Sequence, residues 1–364
     1  MMIDRRLFEE IDWVLIGLVL LLSLLGVLFI YSSSHFLPGN YYLRQLIWIG
    51  IGLGAAFLVV IVDYKFLVSF SIYLYFLIIA ILAASLVFAR LVAGTKSWVK
   101  FGLFQIQPSE LAKVVLILVF ARIFAEYKGR YLNAGSTALA LVVAGVPLVL
   151  IMLQPDLGTA LTFVAIFGAA FILGGLRKKT IIILLALSLI AGAGGWTFGL
   201  KDYQKKRLTT LLNPREDPRG SGYQINQSKI AIGSGGLTGK GFMNGSQSQL
   251  RFLPARHTDF IFSVIGEEFG FLGVFIVFLL YFLTLARMFL SVAKARDRAG
   301  VYLIFMASVL VTFQFLINVL MIIGLFPVTG IPLPFLSYGG SSLLGNFIAC
   351  GFILNVKMRR FANV

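Results

Sequence analysis

The 364-residue chain is expected to fold as an all-α integral membrane protein of about ten transmembrane helices, with a long extracytoplasmic loop between helices 7 and 8. Three observations predict this. Hydrophobic residues make up 59% of the chain and charged residues 13%, far outside the soluble range. Apolar windows of about 20 residues, enough at 1.5 Å per residue to cover the roughly 30 Å hydrocarbon core, recur along the whole chain. Basic residues alternate between the connecting segments as the positive-inside rule requires.

The first span is expected at about 13 to 32. Its preceding tail mixes Asp4, Glu9 and Glu10 with Arg5 and Arg6, so it reads as an uncleaved helix and not as a signal peptide. Further spans are expected at about 45 to 62, 66 to 89, 108 to 126, 137 to 153, 157 to 175, 180 to 199, 268 to 290, 301 to 325 and 341 to 357. The fifth and sixth nearly fuse through LQPDLG. Segments assigned to the cytoplasm carry Lys65, Arg122, Arg177, Lys178, Lys179, Arg287, Lys294, Arg296, Arg298, Lys357, Arg359 and Arg360, among others. Short outer loops carry only Arg44, Arg90, Lys96 and Lys100. Both termini are therefore expected in the cytoplasm, and the chain, 1 to 364, reads as a single polytopic membrane domain with its long outer loop at about 200 to 259.

Composition also narrows the function classes. Lys and Arg exceed Asp and Glu by 31 to 15, which in a polytopic chain points to loops facing anionic membrane lipids and not to nucleic acid. One cysteine, Cys350, excludes an intrachain disulfide, and with two histidines it cannot build a His/Cys metal cage. A divalent cation, Mg or Mn, held by carboxylates stays open. The outer loop holds ten basic residues against Asp202, Glu216, Asp217 and Asp259, a surplus that suits an anionic ligand or anionic headgroups.

Several ionisable residues sit where lipid makes them costly. Glu110 and Lys113, three apart at the start of the fourth span, share a helical face and can pair, either to fix packing or to line a polar site. Asp156 in LQPDLGTA stands where Pro-Asp starts a helix by N-capping, and Arg44 beside Tyr41 and Tyr42 suits an interface anchor. GSGGLTGKG, 233 to 241, lacks the spacing of a phosphate loop; its glycines offer an anion nest near Lys240 or simply a flexible loop. In FLPARHTDFIFSVIGEEFG, 252 to 270, Asp259 suits an N-cap of the eighth span, while Glu267 and Glu268 lie two turns further in. PVTGIPLPFLSYGGSS, 327 to 342, is apolar yet too broken by Pro and Gly to span, and non-helical backbone at that depth lines a cavity. An enzyme acting on an anionic lipid-linked substrate and a transporter moving such a lipid between leaflets both fit.

QPSELAK (107 to 113), QPDLGTA (154 to 160), YQINQSKIAIGSGGLTGKG (223 to 241), HTDFIF (257 to 262), GEEFGFLG (266 to 273) and PVTGIPLPFLSYGGSS resemble, in order and over essentially the whole chain, the SEDS proteins of shape, elongation, division and sporulation. GSQSQLRFLP before RHTDF is more similar to the elongation (RodA) branch than to the division (FtsW) branch. The resemblance implies a peptidoglycan glycosyltransferase of the bacterial inner membrane that polymerises lipid II beside a class B penicillin-binding protein. It places the catalytic aspartate on Asp259. It also marks Arg44, Glu110, Lys113 and Asp156. The basic loop residues Lys240 and Arg256, whose charge suits a leaving diphosphate, and His257 are further candidate substrate contacts. Ala255 and Ser97 depart from the Glu and Arg common in relatives, although Lys96 stands beside the second.

Overall fold

The computed structural model describes residues 10–361 apart from 93–94, 102–103, 128, 130–131, 195–196, 198–201, 213–216 and 218–219. Its long helices are Trp13–Ser34 (α1), Tyr41–Ile61 (α2), Tyr64–Phe88 (α3), Pro108–Glu126 (α4), Ala134–Leu153 (α5), Leu157–Gly174 (α6) and Lys178–Gly194 (α7). Shorter helices follow at Asp202–Leu212 (α8), Ser221–Ser234 (α9) and Ser246–Gln249 (α10), before Ile261–Val292 (α11), Arg298–Ile322 (α12) and Gly340–Met358 (α13). Among the described residues eight helices, α1, α2, α3, α5, α6, α11, α12 and α13, are long and apolar enough to cross a membrane. The other two expected spans are also helical: α4 carries Glu110, Lys113, Arg122 and Glu126, and α7 has 17 residues.

Short polar residues start many of these helices by the expected chemistry, taking up amides that have no partner inside the helix. Asp12 accepts from Leu15 N (3.2 Å), Asp63 from Lys65 N (2.8 Å), Asn133 from Ser136 N (2.7 Å) and Asp297 from Gly300 N (2.7 Å). α13 is the central helix, buried along most of its length, and it packs closely on α2. Gly340 lets the Trp48 ring lie against its backbone, where a side-chain carbon would meet the indole at 2.1 Å. The outer helices instead expose Phe57, Phe76, Ile172 and Phe282, the inverted surface a lipid solvent allows.

Two features were not anticipated. The short loop between α3 and α4 forms a small antiparallel sheet, Arg90–Val92 (β1), Thr95–Phe101 (β2) and Phe104–Ile106 (β3), in the order β1-β2-β3. The side chains of Arg90, Lys96 and Lys100 lie outside the described residues. The eighth expected span begins at Ile261 instead of 268 and is broken at Gly270, whose φ of 59° and ψ of −154° interrupt the helix. At one end of the bundle Asp12 accepts from Arg287 Nε (2.8 Å) and Lys357 Nζ, tying α1, α11 and α13 together. The other end gathers the sheet, the turn before α11, and residues 327 to 339 before α13.

Candidate active site

Asp259 sits in a tight turn whose hub is the Ala255 carbonyl, which accepts from Thr258 N (3.1 Å) and Phe260 N (3.2 Å). Ala255 holds a left-handed φ of 49°, a conformation of the kind that collects at functional sites. The turn is stitched to the broken apolar segment: Tyr338 N donates to His257 O (2.9 Å) and Ser337 Oγ to Thr258 O (2.5 Å). Asn318 Nδ2 of α12 donates both to Asp259 O (2.9 Å) and to Ile331 O (2.8 Å). Asp259 does not cap α11. That position belongs to Phe260, with no side-chain cap bond, so the carboxylate is left for other work.

Asp259 keeps some contact with solvent, yet packed protein surrounds its carboxylate. This desolvation, partly offset by a bond from the Thr258 side chain and the charge of Arg207, pushes its pKa up to about 6. The neighbouring His257 is driven the other way, to about 4, by burial and the charge of Arg256, so its ring is neutral at pH 7. Tyr41 packs on that ring at 4.6 Å and meets Tyr338 edge-on at 5.1 Å, while Arg44 reaches the Tyr338 hydroxyl. Arg44 thus reaches His257 through Tyr338 and Tyr41, and His257 joins them to the turn that carries Asp259 as one group.

Glu110, Lys113 and Asp156 form a second. Lys113 Nζ stands 2.6 Å from Glu110 Oε2, with 2% and 7% of their side chains exposed. Asp156 does cap α6, accepting from Thr159 N (3.0 Å), and its other oxygen takes Gln107 Nε2 (2.6 Å) and Thr159 Oγ1 (2.9 Å). Burial raises the Asp156 pKa, reinforced by Glu110 and opposed by Thr159 and Lys113. The segment from Val328 to Ile331 lies between the two groups. A carbon added at Gly158 on α6 would stand 2.6 Å from Thr329 O, and one at Gly330 3.7 Å from Asp259 Oδ2.

Two expected substrate contacts are engaged elsewhere. Arg256 is buried with its Nε on Ser33 O (2.5 Å), at the carbonyl-rich end of α1. Lys240 Nζ pairs with Glu267 Oε1 (2.8 Å), which also accepts Gln247 N (2.8 Å), while Glu267 Oε2 takes Ser248 N (3.1 Å). Glu268 accepts from Ser32 Oγ and from the Met243 amide. These two acids therefore moor the chain from 240 to 249 onto α11 and α1.

In the glycine-rich stretch the amides beside Lys240 are engaged by the break in α11: Lys240 N donates to Glu267 O (3.0 Å) and Gly241 N to Glu268 O (2.9 Å). In return Phe271 N donates to Gly236 O (2.9 Å) and Leu272 N to Leu237 O (3.1 Å). Close approach explains Gly235 and Gly239, where an added carbon would stand 1.9 Å from Gly266 O and 2.1 Å from Glu268 O.

Sequence reasoning passed over Arg207 and Asn318. Arg207 on α8 donates Nη1 to Val328 O (3.1 Å) and acts electrostatically on Asp259. Its only signal was membership of the basic outer loop. Among the described residues no three His, Cys, Asp or Glu side chains come together as a metal-ligand cluster.

The family model described as cell cycle protein, FtsW/RodA/SpoVE, matches residues 12–361. Peptidoglycan glycosyltransferase MrdB of Escherichia coli K12 is 39% identical over 289 residues, covering 79% of this chain and 78% of MrdB. A probable peptidoglycan glycosyltransferase FtsW of Trichlorobacter lovleyi is 36% identical, covering 96% and 93%. Among solved structures, a chain from a peptidoglycan synthase complex that coordinates polymerization and crosslinking superposes with a TM-score of 0.82. It is 34% identical and covers 97% of this chain and 99% of its own.

Proposed function

The chain belongs to the FtsW/RodA/SpoVE family of cell cycle proteins, and from that premise we propose that it is a peptidoglycan glycosyltransferase that polymerises lipid II, with Asp259 as general base. The observation that carries the assignment is the desolvated Asp259 carboxylate, released from helix capping and held on a tight turn with His257, within the field of Arg207. Basic residues gathered at the opposite bundle end support a position for this turn at the outer face of the bacterial cytoplasmic membrane.

A β-1,4 link made from an α-linked sugar diphosphate requires inversion. The acceptor 4-hydroxyl oxygen bonds to the anomeric carbon as the carbon–oxygen bond to the diphosphate breaks. The bonding pair leaves with undecaprenyl diphosphate, and the hydroxyl proton passes to Asp259. A base with a pKa of about 6 is ionised at neutral pH and still a better acceptor than a solvated aspartate, and such catalysis is worth about 10² to 10⁴ in rate. Neutral His257 has Nδ1 without a partner among the described residues and suits a sugar hydroxyl. Arg44 and Arg207 suit the diphosphates, where positive charge stabilises the leaving anion. Lys240 and Arg256 serve chiefly to hold the loop.

A class B penicillin-binding protein is the proposed partner, in keeping with the synthase complex that the chain resembles. The test is polymer formation from labelled lipid II by the purified protein with that partner. Asp259→Asn should abolish glycan strands while leaving the unfolding transition cooperative. Undiminished polymer would remove Asp259 from the reaction. Rapid lipid II scrambling in liposomes without polymer would instead favour a transporter built on Glu110, Lys113 and Asp156.

A further inference from the structure

We infer that residues 236 to 242 form a wedge inserted among the outer-leaflet lipids, which fixes the depth of the turn carrying Asp259. The break in α11 sets the level. From Phe271 to Val292 the helix has the length of one span, about 33 Å at 1.5 Å per residue, so Gly270 lies at the edge of the hydrocarbon core. Leu237 is held at that edge by the bond from Leu272 N to its carbonyl.

Two independent features say that lipid, and not water, covers this segment. The first is backbone satisfaction. Two carbonyls and two amides freed by the break pair with the amides of Lys240 and Gly241 and the carbonyls of Gly236 and Leu237, four bonds that tie the loop to the helix. Irregular backbone survives beside hydrocarbon only when its polar groups are matched in this way. The second is continuity of surface. Leu237 is 71% exposed and Phe242 40% exposed, and they extend the bare face of α11 formed by Phe271 and Phe275. Phe242 packs 6.4 Å from Phe269, which in turn meets Phe29 of α1 at 5.5 Å. Lys240, two residues before Phe242, keeps its ammonium on Glu267 and Ser246, on the loop's polar side. The chain then runs through α10 into the Ala255 turn, so the wedge and Asp259 move as one moored piece.

The experiment uses the full chain, alone, in vesicles of phosphatidylethanolamine and phosphatidylglycerol. Cys350 is buried and is removed as Cys350→Ala, leaving one labelling site at Leu237→Cys or, as a wet control, at the exposed Asn244→Cys. An environment-sensitive fluorophore at Leu237→Cys should be quenched several-fold more by doxyl-labelled lipid than by aqueous iodide, with the order reversed at Asn244→Cys. Equal iodide quenching at the two sites would overturn the inference, as would shielding of the Leu237→Cys probe from both quenchers, which would mean that protein covers it. The result does not depend on the polymerase reading, because neither label touches the residues proposed for that reaction.

Discussion

Asn318 on α12 spends both protons of its side-chain amide on the carbonyls of Asp259 (2.9 Å) and Ile331 (2.8 Å), fastening the turn with the candidate base to the broken apolar segment. Asn318→Ala leaves two carbonyls without donors at a cost of about 1–3 kcal/mol. It also frees Asp259 to drift, and misplacement of about 1 Å costs on the order of 10²-fold. The expected outcome is a lower unfolding midpoint with kcat reduced and KM for lipid II little changed. A variant that raised KM alone would make Asn318 a substrate contact instead of a positioning residue.

The pKa of Asp259, raised to about 6, fixes the sign of two pH effects. Since the base must be ionised, polymerisation should rise through an acid limb near pH 6 and level above it. Stability should move the other way. The folded carboxyl binds its proton more tightly than an unfolded one with a pKa near 3.9, so the fold loses stability as pH climbs between these values. Asp259→Asn removes that penalty. It should be inactive yet more stable than the parent well above pH 6, by up to about 3 kcal/mol, with the difference vanishing below about pH 4. Unfolding midpoints of the two proteins across that range provide the check.

The elements most legible in the sequence were those determined locally. Apolar runs located the ten long helices to within several residues, and Asp156 and the Glu110/Lys113 pair were readable because their partners lie within a few positions. What escaped depends on distant partners. Glu267 and Glu268 had no visible role because their ligands lie up to 236 residues away, at Ser32. The docking of the glycine-rich stretch was not visible for the same reason: the break that takes the Lys240 and Gly241 amides is at Gly270, in another element. The small sheet before α4 was missed because a three-residue strand carries almost no periodicity of its own.

Glu267 is the mooring on which the loop from 240 to 249 depends, since one buried carboxylate takes Lys240, Ser246, Gln247 and Ser248. Glu267→Ala strands the Lys240 charge and two backbone donors. A loss of about 3–5 kcal/mol is expected, as for other broken buried pairs. Lys240→Met should cost less, because Glu267 keeps its amide donors, and the double variant should fall short of the sum. Thermal unfolding of the three variants, with limited proteolysis between 236 and 252, measures this directly.

Gly270 combines a positive φ of 59° with contact so close that a side-chain carbon would stand 2.5 Å from Gly239 N. Gly270→Ala therefore has two faults, left-handed strain and collision with the loop that repairs the helix break. The loop must be expelled or the helix bent, and either outcome should destabilise the protein by more than about 1 kcal/mol. Gly50→Ala, which meets nothing within 4 Å on the lipid-facing side of α2, should be neutral or slightly stabilising. Comparable losses in both would refute the close-contact explanation.

Arg207 is placed to act on Asp259 in two separable ways. Its charge favours the carboxylate and holds the pKa below where burial alone would put it. Its bond to Val328 O steadies the segment that ends at Gly330, against the Asp259 oxygens. Removing the charge in Arg207→Gln should move the acid limb of the polymerisation profile to higher pH, so the variant loses most activity at pH 6 and least at pH 8. Arg207→Lys should return the limb towards its original position, because the charge is restored. Its plateau rate should still lag, because an ammonium cannot reproduce the geometry of the guanidinium fork on Val328. High salt should narrow the gap between Arg207→Gln and the parent, since the group is only half-buried and its field is partly screened. An unchanged acid limb in Arg207→Gln would show that desolvation alone sets the Asp259 pKa, leaving Arg207 only its tie to Val328 or a direct hold on diphosphate, which a rise in KM would reveal.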